Sequence, residues 1–297
     1  DNHHVKIQKS NEENKTIYAE NIIIATGSKP RTISNIDVDE KIIMTSDGVD
    51  HMKSFPKSMV IVGAGVIGCE YATIFSNFGK TKVYLIDRSD RILPFEDSDI
   101  SDMISKNLKE KGVTIHNKAQ LERLEVKDKE VEYELSYKDG KKEVIRVEKA
   151  LLSVGRRLCI DGLKMENAGV TLSKRGVHIG DINTQTNVPN IYVVGDASGH
   201  ISLVNVGELE GRYAVERMFS KKYYPLNYKN ICTIMFLQPE VASVGINEKI
   251  CIEENIPVKV VKLDYSCIAR AIAMRKTEGF FKIIVTDDKK MKILGMR

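Results

Sequence analysis

The 297 residues include 45 basic and 41 acidic side chains, for a net charge of +4, with 42% hydrophobic and 29% charged residues overall. That length supports roughly two domains with separate cores. The charges are mixed along the chain without a basic block or arginine-rich arm, and no apolar run could span a bilayer, so neither nucleic acid nor membrane is expected as a partner.

In chain order, Val5 and Ile7, a polar turn over 10–14, then Ile17 and Ala19 read as a hairpin. It leads into a buried-type strand over 21–25, whose sheet neighbours are expected from elsewhere. Residues 58–62 read as a strand, 66–78 as a helix stopped by Gly79, and 83–87 as a second strand. A second helix is expected over 98–111, with Ile100, Met103, Ile104 and Leu108 on one face, Ser98 as its cap and Gly112 as its end. A third strand follows over 113–116. Alternating strands and helices with short connections predict right-handed crossovers on a parallel sheet, an α/β doubly wound fold.

Val131, Tyr133, Leu135 and Tyr137 alternate at period two, Asp139-Gly140 makes a hairpin turn, and 144–147 returns, predicting an antiparallel meander. It precedes a last buried strand over 150–154. Another strand is expected over 190–195, a helix from about 206 to 219, and mixed α+β structure from about 227. The strand over 280–285, the turn over 287–290 and the start of a returning strand over 291–294 leave a sheet uncovered near Arg297. Together with the opening hairpin, this predicts a fragment, or a chain whose ends lie elsewhere.

The cysteines are Cys69, Cys159, Cys232, Cys251 and Cys267, no two closer than sixteen positions. There is no CxxC and no metal-ligand spacing, so free thiols in a reducing compartment are expected: the cytosol, or an organelle matrix. No signal peptide is read at the start.

Gly63-Ala64-Gly65-Val66-Ile67-Gly68 fits GxGxxG between a strand and a helix. The first glycine permits the tight turn, the second lets backbone approach a pyrophosphate, and the third lets the helix pack closely on the sheet. The amides of Val66 and Ile67 then face the phosphates at the positive end of the helix dipole. Asp87 ends the next strand nineteen positions after Gly68, at the spacing of a ribose-binding carboxylate. Such a carboxylate favours NAD over NADP by taking both ribose hydroxyls, although Arg88 beside it could pair with a 2′-phosphate. The alternative is a structural turn beside an incidental surface aspartate.

Several separated stretches together resemble the FAD-dependent pyridine nucleotide–disulfide oxidoreductases. They are IIIATGSKP (22–30), VGAGVIGCEYATIF (62–75), LLSVGRR (151–157), TNVPNIYVVGDASG (186–199), LQPEVASVG (237–245) and TEGFFKI (277–283). Within that family GRR, LQPEVASVG and TEGFFKI are similar to the dihydrolipoamide dehydrogenases, while DRILPFEDSDISD (90–102) is equally similar to soluble pyridine nucleotide transhydrogenases.

The resemblance implies a domain plan. Residues 1–56 would end a first FAD segment, 57–155 form a Rossmann-like NAD domain, 156–226 return to the FAD domain, and 227–297 begin a truncated interface domain. It implies FAD and NAD as cofactors, a homodimer, and a lipoyl-bearing protein or small disulfide as substrate. Ala25, Thr26 and Gly27 would lie near the ADP half of FAD, Gly195 and Asp196 at its ribityl chain, and Leu203 and Val204 before a helix aimed at the flavin. Glu70 would orient the nicotinamide carboxamide and Gly155 would admit its backbone. From the residues alone, a helix cap or turn residue is the alternative at Asp196, and Glu70 reads equally as an acid complementing a helix dipole. The chain departs from the family's pattern at Asn205, where a histidine is usual, and at Leu158-Cys159, where Pro-Asn is usual. No redox cysteine pair lies within the 297 residues, and the first FAD loop and the His-Glu proton-transfer pair would fall outside them. The resemblance implies electron transfer between NAD(H), FAD and a disulfide or dithiol substrate, dihydrolipoamide first, with a transhydrogenase as the enzymatic alternative. No catalytic residue is assigned within the 297, and a silent NAD-binding module is the other reading of them. Cys69 at a helix start reads as a small buried apolar residue, not a reactive thiolate; His200 after the Asp196 stretch reads as a loop histidine, not a base; and His3-His4 read as a terminal charge patch, not a metal site.

Overall fold

The computed structural model describes residues 1–8, 13–173, 176–177, 183–222 and 224–297. The chain divides into two compact units, one of Asp1–Lys29 with Arg156–Tyr228, the other of Pro30–Gly155 with Lys229–Arg297.

In the smaller unit, strands His4–Gln8 and Asn14–Tyr18 pair antiparallel as the expected hairpin, with His4 opposite Tyr18. Positions 10–12 of its predicted turn lie outside the described residues. The strand after the hairpin is Ile22–Ile24, and it finds a neighbour far along the same chain: Ile191–Val193 runs parallel to it. Met165, Val170, Ile191 and Val193 form a small core there. The helix expected from about 206 begins two residues earlier, as Val204–Phe219. Val204 is 92% exposed, so the apolar periodicity that marks a helix starts only at buried Val206.

In the larger unit, five parallel strands line up in the order Ile43–Met44, Lys149–Leu152, Ser58–Val62, Lys82–Ile86, Thr114–His116. Alternation along Ser58–Val62 sends Met59 and Ile61 into one core and Val60 and Val62 into another. The first core is shared with Cys69, Ala72 and Phe75 of helix Val66–Asn77 and with Ile100, Ile104 and Leu108 of helix Ser98–Glu110. The second lies under the meander Gln120–Lys127, Glu130–Ser136, Lys142–Val147, whose Val131, Tyr133 and Leu135 are fully buried. The predicted strand over 150–154 ends at Leu152, because the chain turns at Ser153 to meet the glycine loop.

Gly79 and Gly112 end the two helices at φ +65° and +85°, where a side chain would be strained. Ser98 does not cap the second helix. Asp97 holds the N-cap position without a side-chain capping bond, because its carboxylate is drawn to Lys282 and to the Lys249 amide. The second sheet of this unit orders Thr233–Met235, Val241–Gly245, Ile293–Met296, Phe280–Thr286 and Val258–Asp264 antiparallel. Among the described residues no helix is long and apolar enough to cross a membrane.

Candidate functional site

The glycine loop leaves strand Ser58–Val62 and enters helix Val66–Asn77, and each of its glycines has a separate cause. Gly63 sits at φ +101°, and a Cβ there would meet the Ser153 carbonyl at 2.5 Å. At Gly68 a Cβ would stand 1.9 Å from the Gly63 carbonyl, so the helix lies against the loop with no room for a methyl group. A Cβ on Gly65 would meet nothing within 4 Å. That open face lines a cleft of about 530 Å³ shared with Gly63, Asp87, Arg88 and Gly155. Gly65 is also the helix N-cap, and no side chain caps the helix, so the first-turn amides of Val66 and Ile67 remain for a ligand. The vacant space beside Gly65, and not the motif alone, is what fits a diphosphate.

Asp87 lies at the end of the next strand, half-buried at this cleft. Its Oδ2 accepts the Ala64 N–H (2.7 Å) and its Oδ1 the Ser89 N–H (2.8 Å). A carboxylate has about four lone-pair sites, so each oxygen retains capacity for a ribose hydroxyl. Arg88 beside it is exposed and lines the same cleft. Gly155 has φ +101°, and its carbonyl accepts the Arg31 N–H (2.9 Å). Glu70 does not line this cleft. Its Oε1 accepts the Phe236 N–H (2.9 Å), while Oε2 has no partner among the described residues.

Two contacts holding the loop come from residues with no motif role. Ser153 Oγ donates to the Gly63 carbonyl (2.8 Å), and the Leu93 N–H donates to the Ala64 carbonyl (2.8 Å). Cys69 is fully buried, its thiol pointed at the Ala64 carbonyl. Burial, then the Asp87 and Glu70 charges, push its pKa up to about 12, so it holds no thiolate at neutral pH.

In the smaller unit, Gly195-Asp196 opens a 3₁₀ turn after strand Ile191–Val193. Asp196 Oδ2 accepts the Ser28 hydroxyl, and Arg156 Nε stands 3.6 Å from the same oxygen while donating to Ser28 Oγ (2.7 Å). Asp196 Oδ1 has no hydrogen bond among the described residues, which leaves an acceptor for a polyol hydroxyl. Ala25 and Thr26 are exposed, and Gly27 turns the chain at φ +72°. Leu203 is the N-cap residue of helix Val204–Phe219 and contributes no side-chain cap, so that helix also starts with unclaimed amides. Glycine meets glycine here: a Cβ on Gly207 would come within 3.1 Å of Gly195 Cα.

Glu210 escaped the sequence reading. It is fully buried, its Oε2 accepting the Gly195 N–H (2.6 Å) and its Oε1 the Tyr228 hydroxyl (2.7 Å). Burial raises its pKa against the opposing effect of those two bonds. His200 stacks on Tyr228 at 5.7 Å as a loop histidine. Ser28 and Arg156 lie within stretches that carry the family resemblance, and that was their only signal.

Open space beside a glycine turn, a cleft-lining carboxylate with lone pairs left over, and a second glycine turn with a free aspartate oxygen are features that could hold dinucleotides. The family comparison agrees: residues 1–211 match the pyridine nucleotide-disulphide oxidoreductase family, and residues 231–297 match that family's dimerisation domain. The chain belongs to the pyridine nucleotide-disulphide oxidoreductases, whose cofactors are FAD and NAD(H). Its relatives include dihydrolipoyl dehydrogenases of Bacillus subtilis (34% identical over 98% of this chain and 61% of that protein) and Chlamydia trachomatis (34%, 96% and 60%). Among solved structures, the HOCl-induced flavoprotein disulfide reductase RclA from Escherichia coli superposes with a TM-score of 0.86 at 28% identity, covering 99% of this chain and 66% of that one. LpdA from Mycobacterium tuberculosis shares the fold, with a TM-score of 0.88 at 24% identity over 99% of this chain and 63% of its own. The chain thus spans about three fifths of the length of the curated relatives it matches.

Proposed function

We propose that the whole protein is a flavoprotein dihydrolipoamide dehydrogenase that converts dihydrolipoamide and NAD⁺ to lipoamide, NADH and a proton. The observation that carries the nucleotide half is the unfilled space beside Gly65 in a cleft it shares with Asp87 and Gly155. The names of the relatives support the substrate.

In this reading residues 57–155 are the NAD domain, 1–56 and 156–226 belong to the FAD domain, and 227–297 form the interface domain of a homodimer. Gly63, Gly65, Val66, Ile67 and Gly68 seat the diphosphate by backbone. Asp87 takes the adenosine ribose and thereby disfavours a 2′-phosphate, with Arg88 beside it. Glu70 Oε2 holds the carboxamide, its partner oxygen fixed by the Phe236 amide, and Gly155 lets the chain pass close to the nicotinamide. Asp196 Oδ1 accepts from the ribityl chain, Ala25, Thr26 and Gly27 flank the ADP half, and Leu203 and Val204 start the helix facing the ring. Bound FAD supplies the hydride and electron chemistry; these residues orient it and set the charge around it. Free, widely spaced cysteines support a reducing location, the cytoplasm or an organelle matrix.

The cysteine spacing also favours a second reading of the 297 residues alone: a module that binds NAD and turns over no disulfide. Calorimetric titration with NAD⁺ tests the cleft. Gly65→Val should weaken binding about a hundredfold, roughly 2.7 kcal/mol, by filling the diphosphate space. Wild-type affinity in that variant would remove the cleft assignment. Lipoamide turnover by the full-length protein, and none by residues 1–297, is the expected result for the activity. Hydride transfer from NADPH to NAD⁺ without lipoamide turnover would replace it with a transhydrogenase.

A further inference from the structure

Residues 93–99 run between the nucleotide cleft and the second sheet of the larger unit. On one side, the Leu93 N–H bonds the glycine loop at Ala64, and Pro94 and Phe95 line the cleft. On the other side the segment is gripped by the sheet and its neighbours. Lys282 Nζ lies 2.9 Å from Asp97 Oδ2, 3.2 Å from Asp99 Oδ1 and 2.6 Å from Glu248 Oε2, in a side chain only 2% exposed. Asn247 Nδ2 donates to the Phe95 carbonyl (2.8 Å), the Lys249 N–H donates to Asp97 Oδ1 (2.9 Å), and Arg297 Nε lies 3.1 Å from Glu96 Oε2.

Taking a lysine so far out of water is unfavourable, and apolar side chains of similar volume commonly stabilise a fold as well as a buried ion pair does. Stability is therefore a poor account of Lys282. Geometry is a better one: three carboxylates around one ammonium, on partners up to 185 residues apart, determine where 96–99 sits, and 93–95 must follow. Burial works against the Lys282 charge, but Glu248 and Asp97 outweigh it and hold its pKa above the usual lysine value, so the grip persists at neutral pH.

We propose that Lys282 is a positioning residue for dinucleotide binding: through Asp97 and Asp99 it holds residues 93–99 so that Pro94 and Phe95 stand as a wall of the cleft. The inference rests on the nucleotide reading of that cleft. The second sheet then contributes to NAD affinity without contributing a side chain to the cleft wall.

The test is calorimetric titration of the full-length protein with NAD⁺, well below its melting transition. Lys282→Met should raise the Kd about tenfold, and Lys282→Arg should recover most of the loss. Asn247→Ser approaches the same segment from another element. It keeps a side chain able to cap helix Glu248–Glu253, as Asn247 Oδ1 does for the Ile250 N–H (2.8 Å), but is too short to reach the Phe95 carbonyl. Its Kd should rise about threefold. Flavin content, which depends on candidate residues of the other unit, should stay at wild type in all three variants, whereas general structural damage would lower it too. Wild-type Kd in Asn247→Ser, alone if Lys282→Met does not fold or together with an unaffected Lys282→Met if it does, overturns the inference. Were NAD⁺ binding absent from the wild type, or unchanged by Gly65→Val, the nucleotide reading itself would fall, and this inference with it.

Discussion

Two glycine turns in this chain, each following a parallel strand, have their backbone held by a carboxylate from another element. At the first, Asp87 takes the Ala64 N–H at 2.7 Å; at the second, Glu210 takes the Gly195 N–H at 2.6 Å. The device is shared and the surroundings differ. Asp87 is half-buried at an open cleft, with lone pairs left for a visitor. Glu210 is wholly enclosed, and its second oxygen is taken by Tyr228. A carboxylate that supports a turn is open to a ligand only when it also faces solvent, so substitution of these two residues should separate binding from stability.

The largest effect should come from the first turn's packing. Gly68→Ala forces a methyl into the Gly63 carbonyl and should cost about 3 kcal/mol, read as a fall in the denaturation midpoint. Glu210→Ala comes next. It leaves two half-buried donors without their acceptor, at about 2 kcal/mol, and Glu210→Gln should restore most of this by accepting from Gly195 and donating to Tyr228. The pH dependence has a defined sign. Burial raises the Glu210 pKa above its usual 4.5, so its contribution is complete below that value and declines as pH climbs through the raised one. The melting-temperature advantage of wild type over Glu210→Gln should therefore shrink from acid toward neutral pH. A constant gap would mean that Glu210 does not titrate differently in the fold.

Asp87→Ala should cost about 1 kcal/mol in stability by freeing the Ala64 and Ser89 amides. It should also raise the KM for NADH in the full-length enzyme and relax rejection of NADPH; unchanged cofactor preference would contradict the ribose role. The smallest perturbation is chemical. Iodoacetamide on the native protein should label exposed Cys232 and Cys267 and spare buried Cys69 and Cys251, as read by peptide mass spectrometry.

These contrasts also mark what was legible in the sequence. Ser58–Val62, its glycine loop and Asp87 are consecutive or regularly spaced, so period and motif reveal them together. The meander's opening strand, Gln120–Lys127, was not read. Leu121 and Leu124 face the same core three positions apart because the register shifts between Glu134 and Leu135, and no simple alternation survives. Glu210 was invisible for another reason: a glutamate on a helix is ordinarily solvated, and only tertiary contact with Gly195 and Tyr228 says otherwise. The same holds for Asp97, which local spacing leaves as an ordinary first-turn neighbour of Ser98 and which a lysine 185 residues away removes from that role.

The contact between Gly68 and the Gly63 carbonyl has a kinetic consequence. A bracket with no slack loses its conformational freedom while the polypeptide folds, so little ordering remains when a dinucleotide arrives. Association should accordingly be a single bimolecular phase governed by diffusion and charge, without a slow isomerisation behind it, and differences in affinity among cleft variants should reside in how quickly the nucleotide departs.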